Sequence, residues 1–351
     1  MKLSNIQKLW YQPTRHPLLW WLIPFSWLFY GLVHLRRELY RVGIFKSMRL
    51  NVPVIVVGNI TVGGTGKTPF VIKLANILRE HGYQPGIAAR GVGGKTHHDS
   101  YEVTINSPVT EAGDEALLHA IHAHCPVVLS INRVHAAKHL MSLGCNVIIC
   151  DDGLQHYALA RDIEIAIVDA SRKQGNGYLL PAGPLREPIN RLQSVDMIVE
   201  NGVNMTLQPT QFVSISNDAN MMPINQMTFK KVHAIAGIGH PDRFFNQLRA
   251  MGLEIIPHAL PDHYAFTSAD ISFGDDLPII MTEKDAVKCK QFNVKNGWFL
   301  SVDANVDITI WQQLLVQLKQ LEKQYAIQTS VANHGADVNN DDELDRVRKS
   351  C

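Results

Sequence analysis

From residue 52 onward, short apolar runs alternate with stretches whose apolar residues recur at helical spacing. "VPVIVVGN" (52–59) reads as a buried strand, and Val71, Leu74, Ile77 and Leu78 then repeat with a helical period until Gly82. "PGIAA" (85–89), "CPVVLSI" (125–131), "NVIIC" (146–150) and "IEIAIVD" (163–169) predict further strands, with helical patterns starting near Gly113 and covering 133–143. Strands separated by helices predict a parallel sheet covered on both faces. Residues 51–205 are thus expected to form an α/β core.

A polar, turn-prone stretch at 206–229 predicts a linker. Beyond it, "KVHAIAGIGHPDRFFNQL" reads as strand, glycine turn and helix, opening a smaller α/β unit expected over 230–326. "LPIIMTEKDAVK" and "WFLSVDA" supply strands there, and Trp311, Leu314, Leu315, Leu318 and Leu321 mark a closing amphipathic helix. Residues 327–351 are polar and charge-mixed with almost nothing to bury, so a disordered tail is expected.

Residues 1–50 break the soluble pattern. "HPLLWWLIPFSWLFYGLVHL" (16–35) carries no Asp, Glu, Lys or Arg and is apolar on every helical face. As a helix it would reach about 30 Å, just enough to cross a bilayer. Pro24, Gly31 and cations on both sides (Lys8 and Arg15 before; Arg36, Arg37, Arg41, Lys46 and Arg49 after) argue against a straight span. With Trp20, Trp21, Trp27 and Tyr30 favouring the lipid–water interface, a helix embedded in one leaflet with a basic collar on anionic headgroups fits better. A buried helix of the soluble core is the competing reading.

Composition adds bounds. A chain of 351 residues exceeds the usual single-core size, and a net charge of +1 leaves no electrostatic footprint for nucleic acid. The five cysteines (Cys125, Cys145, Cys150, Cys289 and Cys351) have no zinc-ligand spacing and read as reduced thiols. Nothing in the sequence marks an obligate protein partner.

Candidate chemistry begins after the first strand. "TVGGTGKT" (61–68) ends as a phosphate-binding loop does, in Gly66-Lys67-Thr68, but opens with Thr61 instead of Gly. Between a strand and a helix, the backbone of Thr61, Val62, Gly63, Gly64, Thr65 and Gly66 would cup the phosphates of a nucleotide. Lys67 adds a positive charge and Thr68 a hydroxyl for Mg²⁺. The run "NVIICDDGLQH" stops at Asp151-Asp152, where a P-loop enzyme holds its metal; an ordinary turn is the alternative. Asp114 in "EAGDEALL", Arg186 and Glu187 in "LLPAGPLREP", and Asp262 with His263 in "LPDHYAFT" are further candidates, each equally open to a structural role.

Together, "TVGGTGKTP", "RGVGG", "GDE", "DDGLQH", "LLPAGPLREP", "AGIGHPDRFF", "PDHYAF" and "TEKDAVK" appear in an order that resembles the tetraacyldisaccharide 4′-kinases, the lipid A kinases of Gram-negative bacteria. The similarity runs from the hydrophobic N-terminus to about residue 325. Members of that family typically lack the first glycine of the loop, so Thr61 looks like the family's own form. The resemblance implies a P-loop core joined to a smaller C-terminal α/β domain, with the active site between them. It implies phosphorylation by ATP and Mg²⁺ of the 4′-hydroxyl of a membrane-embedded, tetraacylated glucosamine disaccharide, on the cytoplasmic face of the inner membrane. Carried over, Asp114 matches the catalytic base and His263 the histidine paired with it. Asp151 and Asp152 match the acidic pair near Mg²⁺, and Arg186 with Glu187 matches an active-site loop, Arg186 as a catalytic cation and Glu187 beside the metal. Val92 stands where the family shows Tyr, and Leu154 where it shows Phe. The competing class is a membrane-associated P-loop GTPase or regulatory ATPase, but "TEKD" (282–285) places its lysine one position late for guanine recognition.

Overall fold

The computed structural model describes residues 9–12, 16–292, 294–325 and 327, and a single 13-stranded sheet runs through it. Its first part contains β1 (Val54–Gly58), β2 (Pro85–Ala89), β3 (Tyr101–Val103), β4 (Val127–Leu129), β5 (Val147–Asp151), β6 (Ile163–Asp169) and β7 (Met197–Asn201). The rest comprises β8 (Met205–Ser214), β9 (Met221–Pro223), β10 (Lys231–Ala236), β11 (Glu254–Ala259), β12 (Ile279–Thr282) and β13 (Gly297–Val306). The order is β11-β10-β12-β13-β8-β7-β6-β1-β5-β2-β4-β3, with β9 beside β8.

The central strands β4, β2, β5, β1, β6 and β7 run parallel, which accounts for their continuous apolar sequences: both faces are covered. On one face Ile55, Val57 and Ile149 pack against Phe70 and Leu74 of the helix Lys67–Glu80; on the other Val56, Ile148 and Cys150 pack against Ala137 and Leu140 of Arg133–Ser142. β1 lies between β5 and β6, so the loop leaving its C-terminal end stands at the mouth of the sheet.

Two features differ from expectation. The stretch at 206–229 holds β8, β9 and a short 3-10 turn at Ile224–Gln226. Polar residues mask a period of two: along β8 exposed Thr206, Gln208 and Thr210 alternate with the more buried Met205, Leu207 and Pro209. β8 pairs antiparallel with β13 along its length and meets β7 only where Met205 stands beside Asn201, so this two-stranded ribbon links the two halves into one sheet. The closing helix, at 308–325, does not cover the C-terminal strands. Trp311, Leu314 and Leu318 return to the first core, where Trp311 stacks on Phe70 at 5.4 Å between ring centres.

At the N-terminus the apolar run forms two helices, Pro17–Trp20 and Ile23–Arg41, the second with Pro24 in its first turn, where a missing N–H is tolerated. Among the described residues no helix is long and apolar enough to cross a membrane. Ser26 and Phe29 face inward: Ser26 Oγ donates to the Leu179 carbonyl at 2.8 Å, and Phe29 packs on Ile60, Leu179 and Leu185. Trp20, Trp21, Phe25, Trp27, Leu28 and Leu32 stand exposed, Trp21 to 81%. Of the cationic flank, Arg37 donates to Ser194, Arg41 pairs with Glu38 and Arg49 with Asp162. Lys8, Arg15 and the tail at 328–351 lie outside the described residues. Cys125, Cys145, Cys150 and Cys289 are free thiols, and burial pushes Cys125 up to about 12; Cys351 also lies outside the described residues.

Candidate active site

The loop after β1 is shaped by contacts from three directions. The helix Lys67–Glu80 begins after Gly66, whose φ of +96° is a left-handed value that glycine adopts without strain. A Cβ on Gly66 would also come within 2.7 Å of Asn201 Nδ2. Thr61, by contrast, is not among the residues with positive φ. It forms an isolated antiparallel bridge with Leu185, Val62 N–H donates to the Pro184 carbonyl at 2.8 Å, and Arg186 N–H donates to the Ile60 carbonyl at 2.7 Å. The position that usually carries glycine is extended here, tied to the proline-rich loop, and a side chain fits. Lys67 Nζ donates to Asn59 Oδ1 at 3.2 Å, while Asn201, at the end of β7, donates to the Thr65 carbonyl at 3.0 Å and accepts from Arg243 at 2.8 Å. Thr68 follows Lys67 in the first turn of the helix.

The two carboxylates at the end of β5 diverge. Asp152 leaves the strand with φ +50° and meets Lys67 Nζ at 3.5 Å and Arg186 Nη1 at 2.8 Å. Burial works to raise its pKa, but the charges of Lys67 and Arg186 prevail and hold it at about 2. Asp151 turns away: its Oδ2 lies 2.9 Å from His119 Nε2, and both groups are buried. Glu187 is buried as well, accepting from Tyr157 Oη at 2.9 Å and pairing with Arg191 Nε at 3.4 Å, with Oε1 unpartnered.

Asp114 opens the helix Asp114–His122 and is 2% exposed; both its carboxylate oxygens lie 3.1 Å from His263 Nδ1. Lys284 and Lys288, one turn apart on the helix Glu283–Cys289, approach the same carboxylate at 4.0 and 3.6 Å. Burial would raise the Asp114 pKa; the hydrogen bond from His263 and the two lysine charges override it and lower it. That same hydrogen bond raises His263 above its ordinary value, against burial. Gly91, Val92, Gly93 and Gly94 wrap this turn: a Cβ on Gly113 would strike the Val92 carbonyl at 2.3 Å, and one on Gly93 the His263 ring at 2.9 Å. Val92 therefore contributes its main chain while its side chain is exposed. Leu154 is fully buried against Gly58, where a Cβ would meet it at 2.8 Å.

The pair is continuous with the phosphate loop. Gly239, after β10, abuts Gly63 and Gly64; Arg172 donates to the Gly239 carbonyl at 3.2 Å; and Asp262, beside Gly239, receives Lys284 Nζ at 3.3 Å. Motif reasoning missed Asn59, Asn201, His119 and the two lysines. Only the lysines left a signal, their i, i+4 spacing in "TEKDAVK"; a single Asn at a strand end or a single His within a helix carries none.

A parallel sheet with a strand–loop–helix ending in Gly-Lys-Thr, and an acidic strand end beside it, defines a P-loop α/β protein. The sequence profile of the tetraacyldisaccharide-1-P 4'-kinases matches residues 18–320, and the chain belongs to that family. The tetraacyldisaccharide 4'-kinase of Methylobacillus flagellatus is 48% identical over 325 residues, covering 90% of this chain and 96% of the relative. That of Nitrosococcus oceani is 45% identical over 328 residues, covering 91% and 96%. The crystal structure of LpxK from Aquifex aeolicus in complex with ATP superposes with a TM-score of 0.73 at 29% identity, covering 85% of this chain and 98% of that one.

Proposed function

We propose that the chain transfers the γ-phosphate of ATP to the 4′-hydroxyl of a tetraacylated glucosamine disaccharide 1-phosphate, a step of lipid A biosynthesis. The observation that carries the mechanism is the buried Asp114 carboxylate held 3.1 Å from His263, next to Asp262, which adjoins Gly239 where that glycine lies against Gly63 and Gly64 of the phosphate loop. The hydroxyl oxygen attacks the γ-phosphorus, the bond to the β-phosphate oxygen breaks, and ADP carries that oxygen away. The hydroxyl proton passes to the Asp114–His263 pair. The backbone of residues 61–66 cups the phosphates, and Lys67 and Arg186 balance their charge.

The donor set fits Mg²⁺, a hard cation that takes oxygen ligands. Asp152 Oδ1 is buried with Lys67 Nζ at 3.5 Å but makes no hydrogen bond, and Glu187 Oε1 likewise makes none. Thr68, Asp152 and Glu187 are the residues that would hold the ion, and bound there it would neutralise charge on the β- and γ-phosphates.

The acceptor's acyl chains keep it in a bilayer, so the enzyme works at a surface. The exposed aromatic and aliphatic face of Ile23–Arg41, with Lys46 and Arg49 following, supports docking on the cytoplasmic leaflet of the inner membrane among anionic lipids. The deciding experiment incubates γ-labelled ATP with the protein and purified tetraacyl disaccharide 1-phosphate. Label at the 4′ position is the expected result. ATP turnover without a labelled lipid would favour a regulatory ATPase instead.

A further inference from the structure

Asp151 and Asp152 are neighbours in sequence and do different things in space. Asp152 leaves the strand and points at Lys67 and Arg186. Asp151 remains in β5, in register with Val57 of β1, on the face that Ile149 shares with Ala116 of the helix Asp114–His122. There its Oδ2 meets Nε2 of His119, a residue of that helix with no exposure at all. The Asp151 carbonyl is also engaged, accepting from Arg133 Nη2 at 3.4 Å.

We infer that Asp151 is a positioning residue: through His119 it fixes the helix that presents Asp114, and of the two neighbouring carboxylates it is Asp152 that serves the phosphate and metal side. The inference rests on Asp114 being the proton acceptor. His119 follows Asp114 by five residues, about 7.5 Å along the helix axis. Sliding or rolling at His119 is therefore transmitted to Asp114 within the same rigid element. Away from the sheet the same helix meets the C-terminal half, through Leu117 and Leu118 on Val287 and through the Lys284–Glu115 and His122–Glu283 contacts at 2.9 and 2.6 Å. A buried His–carboxylate pair is a poor device for stability alone, since apolar residues of similar size usually serve as well. The pair is also half satisfied, with Asp151 Oδ1 and His119 Nδ1 both lacking partners. What it supplies is direction on the sheet side: a hydrogen bond that sets the helix against the end of β5.

The test compares Asp151→Asn, His119→Leu, His119→Gln, Asp152→Asn and Asp114→Asn in the full chain. Asp151→Asn and His119→Leu are expected to lower kcat about 10- to 100-fold, the penalty of a misplaced catalytic group. KM for ATP and the Mg²⁺ concentration giving half activity should stay unchanged. His119→Gln, which keeps a side-chain N–H on the carboxylate, should recover much of the loss. The Asp151→Asn/His119→Leu double variant should be no worse than the poorer single one. In protein free of nucleotide and metal, the wild type should show a slowly exchanging His119 ring N–H proton that Asp151→Asn abolishes. Circular dichroism and thermal melting identify any variant that fails to fold, in which case His119→Gln and the proton signal decide. A raised Mg²⁺ requirement in Asp151→Asn, matching that of Asp152→Asn, would overturn the inference, as would multiplying losses or full activity in His119→Leu. Full activity in Asp114→Asn removes the base assignment and the inference with it; an inactive Asp114→Asn beside a fully active Asp151→Asn removes the inference alone.

Discussion

Asp114 and His263 lie 149 positions apart in the chain and meet at 3.1 Å, one from the P-loop core and the other from the loop after β11. If the pair accepts the proton as a unit, losses at the two positions do not add. Asp114→Asn and His263→Gln should each reduce kcat by roughly 10²- to 10⁴-fold, and the double variant should fall little below the poorer single one. Steady-state kinetics of the three variants check this; multiplied losses would assign the residues separate tasks.

The same contact sets a pH dependence of stability. Asp114 raises the folded-state pKa of His263 above its ordinary value of about 6.5. A raised histidine contributes stability that is complete below about pH 6.5 and is lost as pH rises through the elevated value. Asp114 behaves oppositely: its lowered pKa contributes stability above about pH 4 that is lost only as pH falls through the depressed value. The difference in melting temperature between wild type and His263→Gln should therefore be larger at pH 6 than at pH 9. A gap that widens towards alkaline pH would contradict the ion-pair reading.

Lys67→Ala should leave folding intact and reduce turnover by about 10²-fold or more, as expected for removing a fixed charge from a developing anion. Asp152 would lose the partner at 3.5 Å that helps to keep it ionised. A melting temperature within a few degrees of wild type, together with a transfer assay, checks both halves of this expectation.

Asn201→Ala tests a residue that no motif points to. It would strip the Thr65 carbonyl and the Arg243 guanidinium of one partner each, in a residue that is 2% exposed. An unsatisfied buried polar group costs about 1–3 kcal/mol, so KM for ATP should rise roughly 10-fold or more through a loosened loop. Unchanged ATP affinity would confine Asn201 to a role in joining the two halves.

Trp21→Glu and Phe25→Glu place charge on the outward face of the N-terminal helices without disturbing Ser26 or Phe29. Each large apolar side chain is worth about 1.5–3 kcal/mol when removed from water, so partitioning onto anionic vesicles should weaken roughly 10- to 100-fold per substitution. Activity on acceptor dispersed in detergent should persist. Full co-sedimentation of the double variant with vesicles would place the docking surface elsewhere.

Much of this architecture was legible in the sequence, and the exceptions share a cause. β2 and β6 fall at the predicted residues because strands buried on both faces are dominated by apolar residues, Glu164 being the one charge inside β6. β8 escaped because it is half solvated and carries Pro209, so its alternation looks like a turn-rich linker. The phosphate loop and both carboxylates of "DDGLQH" were readable as motifs, and the meeting of Asp114 with His263 was implied by family resemblance. That Asp151 and Asp152 point in different directions was not, because it depends on a single backbone angle at Asp152. The packing of Trp311 on Phe70 was also invisible: amphipathic spacing says that a helix has an apolar side, not which sheet receives it.

The seam between β8 and β13 extends from Ser214 opposite Trp298 to Met205 opposite Val306, with one register shift between Ser301 and Val302. The ladder meets the sheet of the first half only where Asn201 of β7 pairs with Met205, so β8 and β13 form a ribbon between the two halves. Any bend or twist of that ribbon would displace C-terminal residues in proportion to their distance from it. β12 is next to β13 and carries Lys284 and Lys288 in the helix after it; β11 is the far edge and leads into His263. Such a displacement would carry His263 farther from Asp114 than the two lysines, so the imidazole would leave the carboxylate before its cationic neighbours do.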